Sequence, residues 1–192
     1  DSVPRDVIIV LDEAYVEYAE AAPGYREGSA WVARYPNLVV TRTFSKAQGL
    51  AGLRVGYGLS HPQVADLLNR VRMPFNVSIP AQAAAVAALA DAEHVQASVR
   101  LNREEMQRLQ AQLEGLGLRW LPSAGNFLCV EVGPRAADVY EGLLRRGVIV
   151  RPVGGGYGLP TFLRMSIGLQ RENGRLLQAL GELREQGLLQ VA

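Results

Sequence analysis

The sequence predicts an α/β fold in which a mostly parallel sheet with helices is followed by a smaller α+β domain. Short apolar runs rich in β-branched residues, such as 7–11 (VIIVL), are typical of strands buried on both faces of a parallel sheet. The last third mixes strands and amphipathic helices without strict alternation, which favours an α+β layer. With 192 residues, 48% of them apolar, the chain can bury one large or two small cores. We place the domains at 1–92 and 93–192, the second beginning with a connecting helix.

Hydrophobic runs and turn residues define the elements of the first half. After the strand at 7–11, residues 37–44 and 54–60 are predicted to form two further strands. The stretch between the first two strands is long enough for the helical crossover that a parallel pair needs. A helix is predicted to begin at Pro62, because proline suits the first helical position. Residues 81–115 are rich in strong helix formers and are predicted to be helical.

The second half is predicted to alternate less regularly between strands and helices. Strands are predicted at 118–122, 126–132, 147–150 and 161–168. Amphipathic helices, each closed by a glycine, are predicted at 135–147 and 172–187. The glycine-rich segment 154–158 lacks the strand-to-helix context of a phosphate loop and is predicted to be a mobile loop.

Composition excludes several classes of function. A net charge of +1, with no basic run, argues against nucleic acid or an anionic membrane as partner. No stretch of 18 apolar residues is present, which argues against a membrane span. Cys129 is the single cysteine, so no intrachain disulfide can form, and a reducing cytoplasm is the expected location. We assign no metal site.

Lys46 is the single lysine of the chain, so 19 of the 20 Lys and Arg residues are arginine. It lies in the segment TRTFSKAQGLAGLRVGY (41–57), which we call the lysine loop. Arginine can replace lysine as a solvated charge or as an anion ligand, but it cannot form an imine with a carbonyl. A chain that otherwise uses arginine is therefore expected to keep one lysine for a covalent role, although chance retention remains an alternative.

The neighbours of Lys46 indicate pyridoxal 5'-phosphate (PLP) as its partner. Thr43 and Ser45 supply hydroxyl groups and Arg54 supplies a cation, which together suit a phosphate group. An imine-forming lysine beside a phosphate site describes PLP, whose pyridine nitrogen pairs with an acidic group. Asp12 follows the strand at 7–11 and is the candidate for that pairing. Its alternatives are a helix N-cap or a solvated loop carboxylate.

These residues resemble a known family. D-E-A-Y (12–15), followed by T-F-S-K-x-x-G-L-A-G-L-R-x-G-Y (43–57), resembles the fold-type I PLP-dependent aminotransferases, and SAGNF (123–127) and FLRMSIG (162–168) match two later signatures. The resemblance covers essentially the whole chain and is strongest to the histidinol-phosphate aminotransferases. It implies a PLP-transferase fold of type I, with Lys46 as the imine-forming lysine and proton carrier. It also implies that Asp12 is the pyridinium partner, that Tyr15 is the donor to the ring oxygen, and that Thr43, Ser45 and Arg54 bind the phosphate.

The resemblance also implies the substrate side of the site. Arg164 is expected to bind the substrate's carboxylate or the group that replaces it, with a structural ion pair as the alternative. Arg151 is a second candidate anion contact, evenly balanced against a surface charge. Asn126 is expected near the substrate, although this chain has Gly125 where the family usually has alanine. The implied partners are an amino-phosphate substrate (histidinol phosphate), 2-oxoglutarate and a second subunit in a homodimer.

In this family about half of the chain precedes the D-E-A-Y strand, so we expect these 192 residues to be a fragment that is inactive alone. Three alternatives stay open. The first is another enzyme of the same fold, such as a threonine-phosphate decarboxylase or an aromatic aminotransferase. The second is a regulator that senses PLP. The third is a PLP-free relic, which the presence of the site residues disfavours.

Overall fold

The computed structural model describes residues 2–20 and 22–189. These residues fall into two compact units, which divide between Val99 and Arg100. Each unit has its own cluster of buried apolar side chains. The expected division at residue 92, between a cofactor-binding domain and a small domain, stays a prediction.

The first unit contains a three-stranded sheet in the order β1 (Ile9–Asp12), β2 (Leu38–Thr43) and β3 (Gly56–Ser60). β1 is parallel to β2, and β3 is antiparallel to β2. The three predicted strands are therefore confirmed. The expectation that the first strand is buried on both faces is wrong in the described structure. Val10 is 63% exposed, because the side chains of β1 alternate between a half-buried face and an exposed face.

Three helices of more than one turn, one single-turn helix and two 3₁₀ turns lie around this sheet and in the chain that leaves it. They are α1 (Val16–Ala19), α2 (Pro62–Val71), α3 (Ile79–Ala90) and α4 (Ala92–Gly115), with 3₁₀ turns at Ser29–Trp31 and Ala51–Leu53. Pro62 opens α2 as predicted, and the ring Nδ1 of His61 accepts a hydrogen bond from the Gln63 amide at 3.3 Å. The helical prediction for 81–115 is confirmed, but Asp91 divides the region, since its carboxylate accepts the His94 amide at 3.0 Å.

The second unit contains an antiparallel sheet of four strands. Their order is β4 (Arg119–Trp120), β5 (Phe127–Glu131), β7 (Phe162–Ser166) and β6 (Arg151–Pro152). One face of β5 and β7 carries Leu128, Val130, Leu163 and Met165, which are almost fully buried. They pack with α4 residues Leu109 and Leu113 and with apolar residues of α5 (Ala136–Arg145) and α7 (Gln170–Glu185). The alternate positions of β5 and β7, on the opposite face, include Phe127, Cys129 and Arg164.

The prediction of a strand at 147–150 is wrong. The Val148 amide donates to the Leu143 carbonyl at 2.9 Å and Gly147 has a φ of +72°, so these residues terminate α5 instead of pairing with the sheet. Pairing begins only at β6, which is two residues long. Pro152 has no amide proton, which suits this edge strand and limits its length.

Segment 154–158, predicted to be a loop, contains the one-turn helix α6 (Gly154–Tyr157). Among the described residues, no helix is both long and apolar enough to cross a membrane.

Candidate active site

The lysine loop leaves β2 and folds back on itself before β3. The Leu50 amide donates to the Phe44 carbonyl at 2.8 Å, and the Phe44 amide donates to the Val55 carbonyl at 3.2 Å. Phe44 and Val55 are buried against Ala81 and Ala85 of α3, which anchors both ends of the loop. Gly49 has a φ of +74°, a conformation that an L-residue rarely adopts, and it allows the tight return.

Lys46 lies in the first half of this loop, and its Nζ is 5.1 Å from the centre of the Tyr15 ring. A cation over an aromatic face is attracted to the ring quadrupole. Tyr15 follows β1 and Lys46 follows β2, and these strands are parallel, so both side chains come from the same edge of the sheet. The structure therefore brings together two of the predicted site residues that are 31 positions apart in the sequence.

Three further predicted residues form a second group in the loop. The Ser45 amide donates to the Thr43 hydroxyl at 3.1 Å, and Arg54 Nη1 lies 3.3 Å from the Ser45 hydroxyl. Arg54 has a φ of +53°, and its Nη1 also donates to the Ala51 carbonyl at 2.8 Å. A non-glycine residue in this left-handed region is uncommon and marks a functional constraint or strain. The guanidinium and the two hydroxyls are thus held close together.

Asp12 is the last residue of β1 and pairs in register with Thr41 of β2. Its carboxylate accepts the Ala14 amide at 3.1 Å and lies 3.5 Å from the Thr41 hydroxyl. The side chain is exposed on the face of the strand that also presents Val10. In this position the carboxylate can pair with a cationic ligand group at the carboxyl edge of the two parallel strands.

The neighbouring acid, Glu13, was not singled out from the sequence. Its residue is only 5% exposed, and its carboxylate accepts hydrogen bonds from Arg42 at 2.8 and 3.0 Å, the Gly28 amide at 2.6 Å and the Tyr25 hydroxyl at 3.0 Å. Arg42 also pairs with Glu27. Side chains alternate along an extended strand, so Asp12 and Glu13 lie on opposite faces. This alternation was the sequence signal that Glu13 has a different environment from Asp12. Glu13 therefore ties segment 25–28 to the back of the strand that carries Asp12.

A second missed pair ties the lysine loop to the helix after Tyr15. Gln48 Nε2 donates to a carboxylate oxygen of Glu17 at 2.7 Å. Gln48 Oε1 and the other Glu17 oxygen are buried and have no hydrogen-bond partner among the described residues. Burial, with the nearby Glu17 charge, raises the pKa of Tyr18. The hydrogen bond between Gln48 and Glu17 connects the lysine loop, which carries Lys46, to the helix that follows Tyr15.

The predicted substrate-side residues lie in the second unit. Arg164 of β7 and Arg151 of β6 are direct cross-strand partners, so their side chains leave the same face of the sheet. The Arg164 guanidinium lies 5.0 Å from the Phe127 ring centre, and its Nε is buried without a hydrogen-bond partner among the described residues. Two like charges opposite each other are unfavourable unless an anion lies between or beside them. The pair can therefore bind an anion.

Two other residues border this arginine pair. Cys129 pairs in register with Arg164 on the other neighbouring strand. Burial raises the pKa of the Cys129 thiol, and the Arg164 guanidinium acts in the opposite direction. Asn126 precedes β5, and its carbonyl accepts the Ile167 amide at 2.8 Å. The nine predicted residues thus form two groups, with six in the first unit and three in the second.

The sequence model of the family "Aminotransferase class I and II" matches residues 2–180, and the chain belongs to this family. The chain is 58% identical over 185 residues to histidinol-phosphate aminotransferase 2 of Pseudomonas fluorescens, covering 96% of the chain and 50% of that protein. It is also 58% identical over 181 residues to histidinol-phosphate aminotransferase 2 of Pseudomonas aeruginosa, covering 94% and 48%. The chain therefore spans about half the length of the curated relatives it matches.

Among solved structures, the chain superposes on the histidinol-phosphate aminotransferase of Sinorhizobium meliloti in complex with pyridoxal-5'-phosphate. The TM-score is 0.88, the sequences are 34% identical, and the match covers 96% of this chain and 50% of the other. The resemblance inferred from the lysine loop and the later signatures is therefore confirmed, and so is the fold class.

Proposed function

We propose that the protein is a PLP-dependent aminotransferase that exchanges the amino group of histidinol phosphate with 2-oxoglutarate in histidine biosynthesis. The observation that carries the proposal is the position of Lys46, the chain's one lysine, over the Tyr15 ring and next to the group formed by Thr43, Ser45 and Arg54. The names of the relatives and the PLP complex of a structural neighbour support the substrate and the cofactor.

The residues of the first unit fit PLP. Arg54 and the Ser45 and Thr43 hydroxyls are held together as a cation and two donors, which is the chemistry that a phosphate group requires. Asp12 would pair with the pyridinium nitrogen, and the Tyr15 hydroxyl would donate to the ring oxygen. When bound, PLP supplies an electron sink for the substrate's reacting carbon.

The side chains of this chain would then share the remaining work. Lys46 Nζ would hold the cofactor until the substrate displaces it, and would afterwards carry the proton removed from the substrate carbon. The Tyr15 ring would restrict the position of that amine through the contact at 5.1 Å. Asp12 would keep the proton on the pyridine nitrogen by supplying the opposite charge. Arginine at position 46 would preserve only the charge.

The arginine pair of the second unit suits the two substrates. Histidinol phosphate carries a phosphate and 2-oxoglutarate carries two carboxylates, so each substrate brings an anionic group for Arg164 and Arg151. Arg164 offers a buried Nε donor, and Arg151 lies opposite it on an exposed edge strand. Asn126 would border the same substrate at the start of β5. No feature of the described residues favours a decarboxylase or a PLP-sensing regulator instead.

A labelling experiment tests the covalent role of Lys46. The protein is incubated with PLP, reduced with borohydride and digested, and the labelled peptide is identified by mass spectrometry. We expect the label on Lys46 and its loss in Lys46→Arg. The matched control is the double variant Lys46→Arg with Arg26→Lys, which again has one lysine, now on the exposed Arg26 position. Equal labelling of that control would contradict the proposal, because any lysine would then suffice.

We further propose that the protein acts as a homodimer in the cytoplasm. The segment between α2 and α3 exposes large apolar side chains, among them Met73 (74% exposed) and Phe75 (96%), and such groups commonly mark protein interfaces. The lone cysteine supports a reducing compartment. Sedimentation velocity of the holoenzyme should show a species of twice the subunit mass, and a monomer at working concentrations would contradict the dimer.

A further inference from the structure

Glu105 is the most deeply buried charge of the second unit that the proposed chemistry does not use. It lies on α4, and its residue is 3% exposed. One carboxylate oxygen accepts Arg108 Nη1 at 2.7 Å and the other accepts Asn173 Nδ2 at 2.9 Å. A buried carboxylate is costly unless it is paired and hydrogen-bonded, so its position is determined by these partners.

Asn173 transmits this position to the turn after β7. Its Oδ1 accepts the Gly168 amide at 3.0 Å, and its Nδ2 donates to the Gly168 carbonyl at 3.0 Å, so the side-chain amide binds both backbone groups of one residue. A Cβ on Gly168 would lie 2.7 Å from a carboxylate oxygen of Glu172, so a side chain at this position would displace that carboxylate. Asn173 thus stabilises the turn at Gly168, and Glu105 fixes the position of Asn173 through a hydrogen bond.

The turn determines where the Arg164 guanidinium can lie. The Ile167 amide, next to Gly168, bonds to the Asn126 carbonyl at 2.8 Å and extends the β5–β7 pairing by one step. Phe127 comes directly after Asn126 and pairs with Ser166, and its ring lies under the Arg164 guanidinium. The buried Nε of Arg164 is therefore aimed by a backbone arrangement that Glu105 and Asn173 maintain.

A second hydrogen bond from α4 reaches the segment that precedes β5. Asn102 lies one turn before Glu105 on α4, and its Nδ2 donates to the Gly125 carbonyl at 3.2 Å. The Gly125 amide in turn donates to the Ser123 hydroxyl at 3.2 Å. Asn102 and Glu105, one turn apart on α4, thus stabilise the segment before β5 and, through Asn173, the turn after β7.

We propose that Glu105 is a positioning residue that, through Asn173 and the turn at Gly168, presents Arg164 to the anionic group of the substrate. The proposal rests on the proposed function, since it takes Arg164 as the anion ligand. Glu105 does not touch the substrate. Replacing Glu105 should therefore raise the Kd for an anion by a larger factor than it lowers kcat.

The test measures binding of succinate, an unreactive dicarboxylate, to the holoenzyme by calorimetry, together with kcat and KM. For Glu105→Leu we expect the succinate Kd and the KM values to rise about tenfold or more, the loss expected when one charge-assisted hydrogen bond is misplaced, while kcat changes much less. Glu105→Gln keeps an acceptor for Asn173 and should bind succinate nearly as well as the wild type. Asn173→Ala should reproduce the effect of Glu105→Leu, and it carries the test if that variant does not fold.

The control is Glu182→Gln, which breaks the ion pair between Arg146 and Glu182 elsewhere in the same unit and should leave the succinate Kd unchanged. An unchanged Kd in both Glu105→Leu and Asn173→Ala, with only a lower melting temperature, would overturn the proposal. So would wild-type protein that does not bind succinate. Failure of the proposed function would be seen separately, as absence of PLP labelling on Lys46 in the wild type.

Discussion

Gly56, the first residue of β3, has no room for a side chain. A Cβ there would lie 2.6 Å from the Arg42 carbonyl oxygen, which is backbone and cannot rotate away. Gly58, two residues further on the same strand, would place its Cβ 3.8 Å from the Val40 carbonyl, an ordinary contact. Gly56 and Gly58 therefore have different physical roles, although the sequence shows them as two alternate glycines of one short pattern.

We expect Gly56→Ala to lower the free energy of unfolding by about 1–3 kcal/mol, the usual cost of overpacking. Gly58→Ala is the matched control and should change it by less than about 1 kcal/mol, since alanine suits a strand at least as well as glycine. Urea denaturation followed by circular dichroism measures both. Equal losses in the two variants would show that the close approach to Arg42 is not the cause.

At the scale of elements, the connection between β1 and β2 depends on a buried ionic network. The Tyr25 hydroxyl donates to Glu13, and burial followed by this hydrogen bond raises the pKa of Tyr25 to about 12. Burial alone lowers the pKa of Arg42, but its hydrogen bonds to Glu27 and Glu13 outweigh it, so the net pKa is raised. The connection between β1 and β2 is therefore stabilised by the neutral Tyr25 phenol and the Arg42 cation, which both bond to the Glu13 carboxylate.

This network predicts a loss of stability at high pH. The Tyr25 pKa is raised in the folded state, so its contribution is fully present below the ordinary value of 10.0 and is lost as the pH rises toward about 12. The stability difference between wild type and Tyr25→Phe should be constant up to that ordinary value and shrink above it. Urea denaturation at several pH values measures the difference. The change in tyrosinate absorbance between the two proteins gives the Tyr25 pKa itself.

Local chemistry explains which elements could be predicted from the sequence. The start of α2 at Pro62 and the strands β2 and β7 are determined by residues within a few positions, and these predictions are confirmed. The segment 147–150 has strand-forming residues, yet its first amides are used to close α5. The division at Asp91 depends on one capping carboxylate inside a sequence that otherwise favours helix. These outcomes follow from competition for single hydrogen bonds.

The residues of the candidate site also divide into those that a local motif identifies and those that depend on contacts with distant residues. The lysine loop is a local motif, so Thr43, Ser45, Lys46 and Arg54 could be identified together. The hydrogen bond between Glu105 and Asn173 joins residues 68 positions apart, and the contacts of Glu13 join β1 to residues 12 to 29 positions further on. Alternation along the strand indicates the face on which Glu13 lies, but no pattern in one sequence indicates which distant residues pair with Glu13 or Glu105. The sequence therefore suffices to propose the residues that would touch ligands, and these stay predictions, whereas the residues that position them could not be proposed.

At the scale of the whole molecule, the two units are built around separate cores. The first has a small cluster around Phe44 and Val55, and the second has a larger one that includes Leu180, which is fully buried. Larger buried apolar area contributes more stability. Two cores of unequal size also favour unfolding in more than one step, which is common in chains with several compact units.

We therefore predict that the second unit stays folded after the first has opened. Leu38→Ala in the first unit and Leu180→Ala in the second remove the same buried atoms, each at a cost of about 2–5 kcal/mol. Hydrogen exchange read by mass spectrometry should show that Leu38→Ala speeds exchange in β1–β3 and leaves β5, β7 and α7 unchanged. Leu180→Ala should act on β5, β7 and α7 directly. If either substitution accelerated exchange equally in both units, the chain would unfold as one cooperative body and the prediction would be wrong.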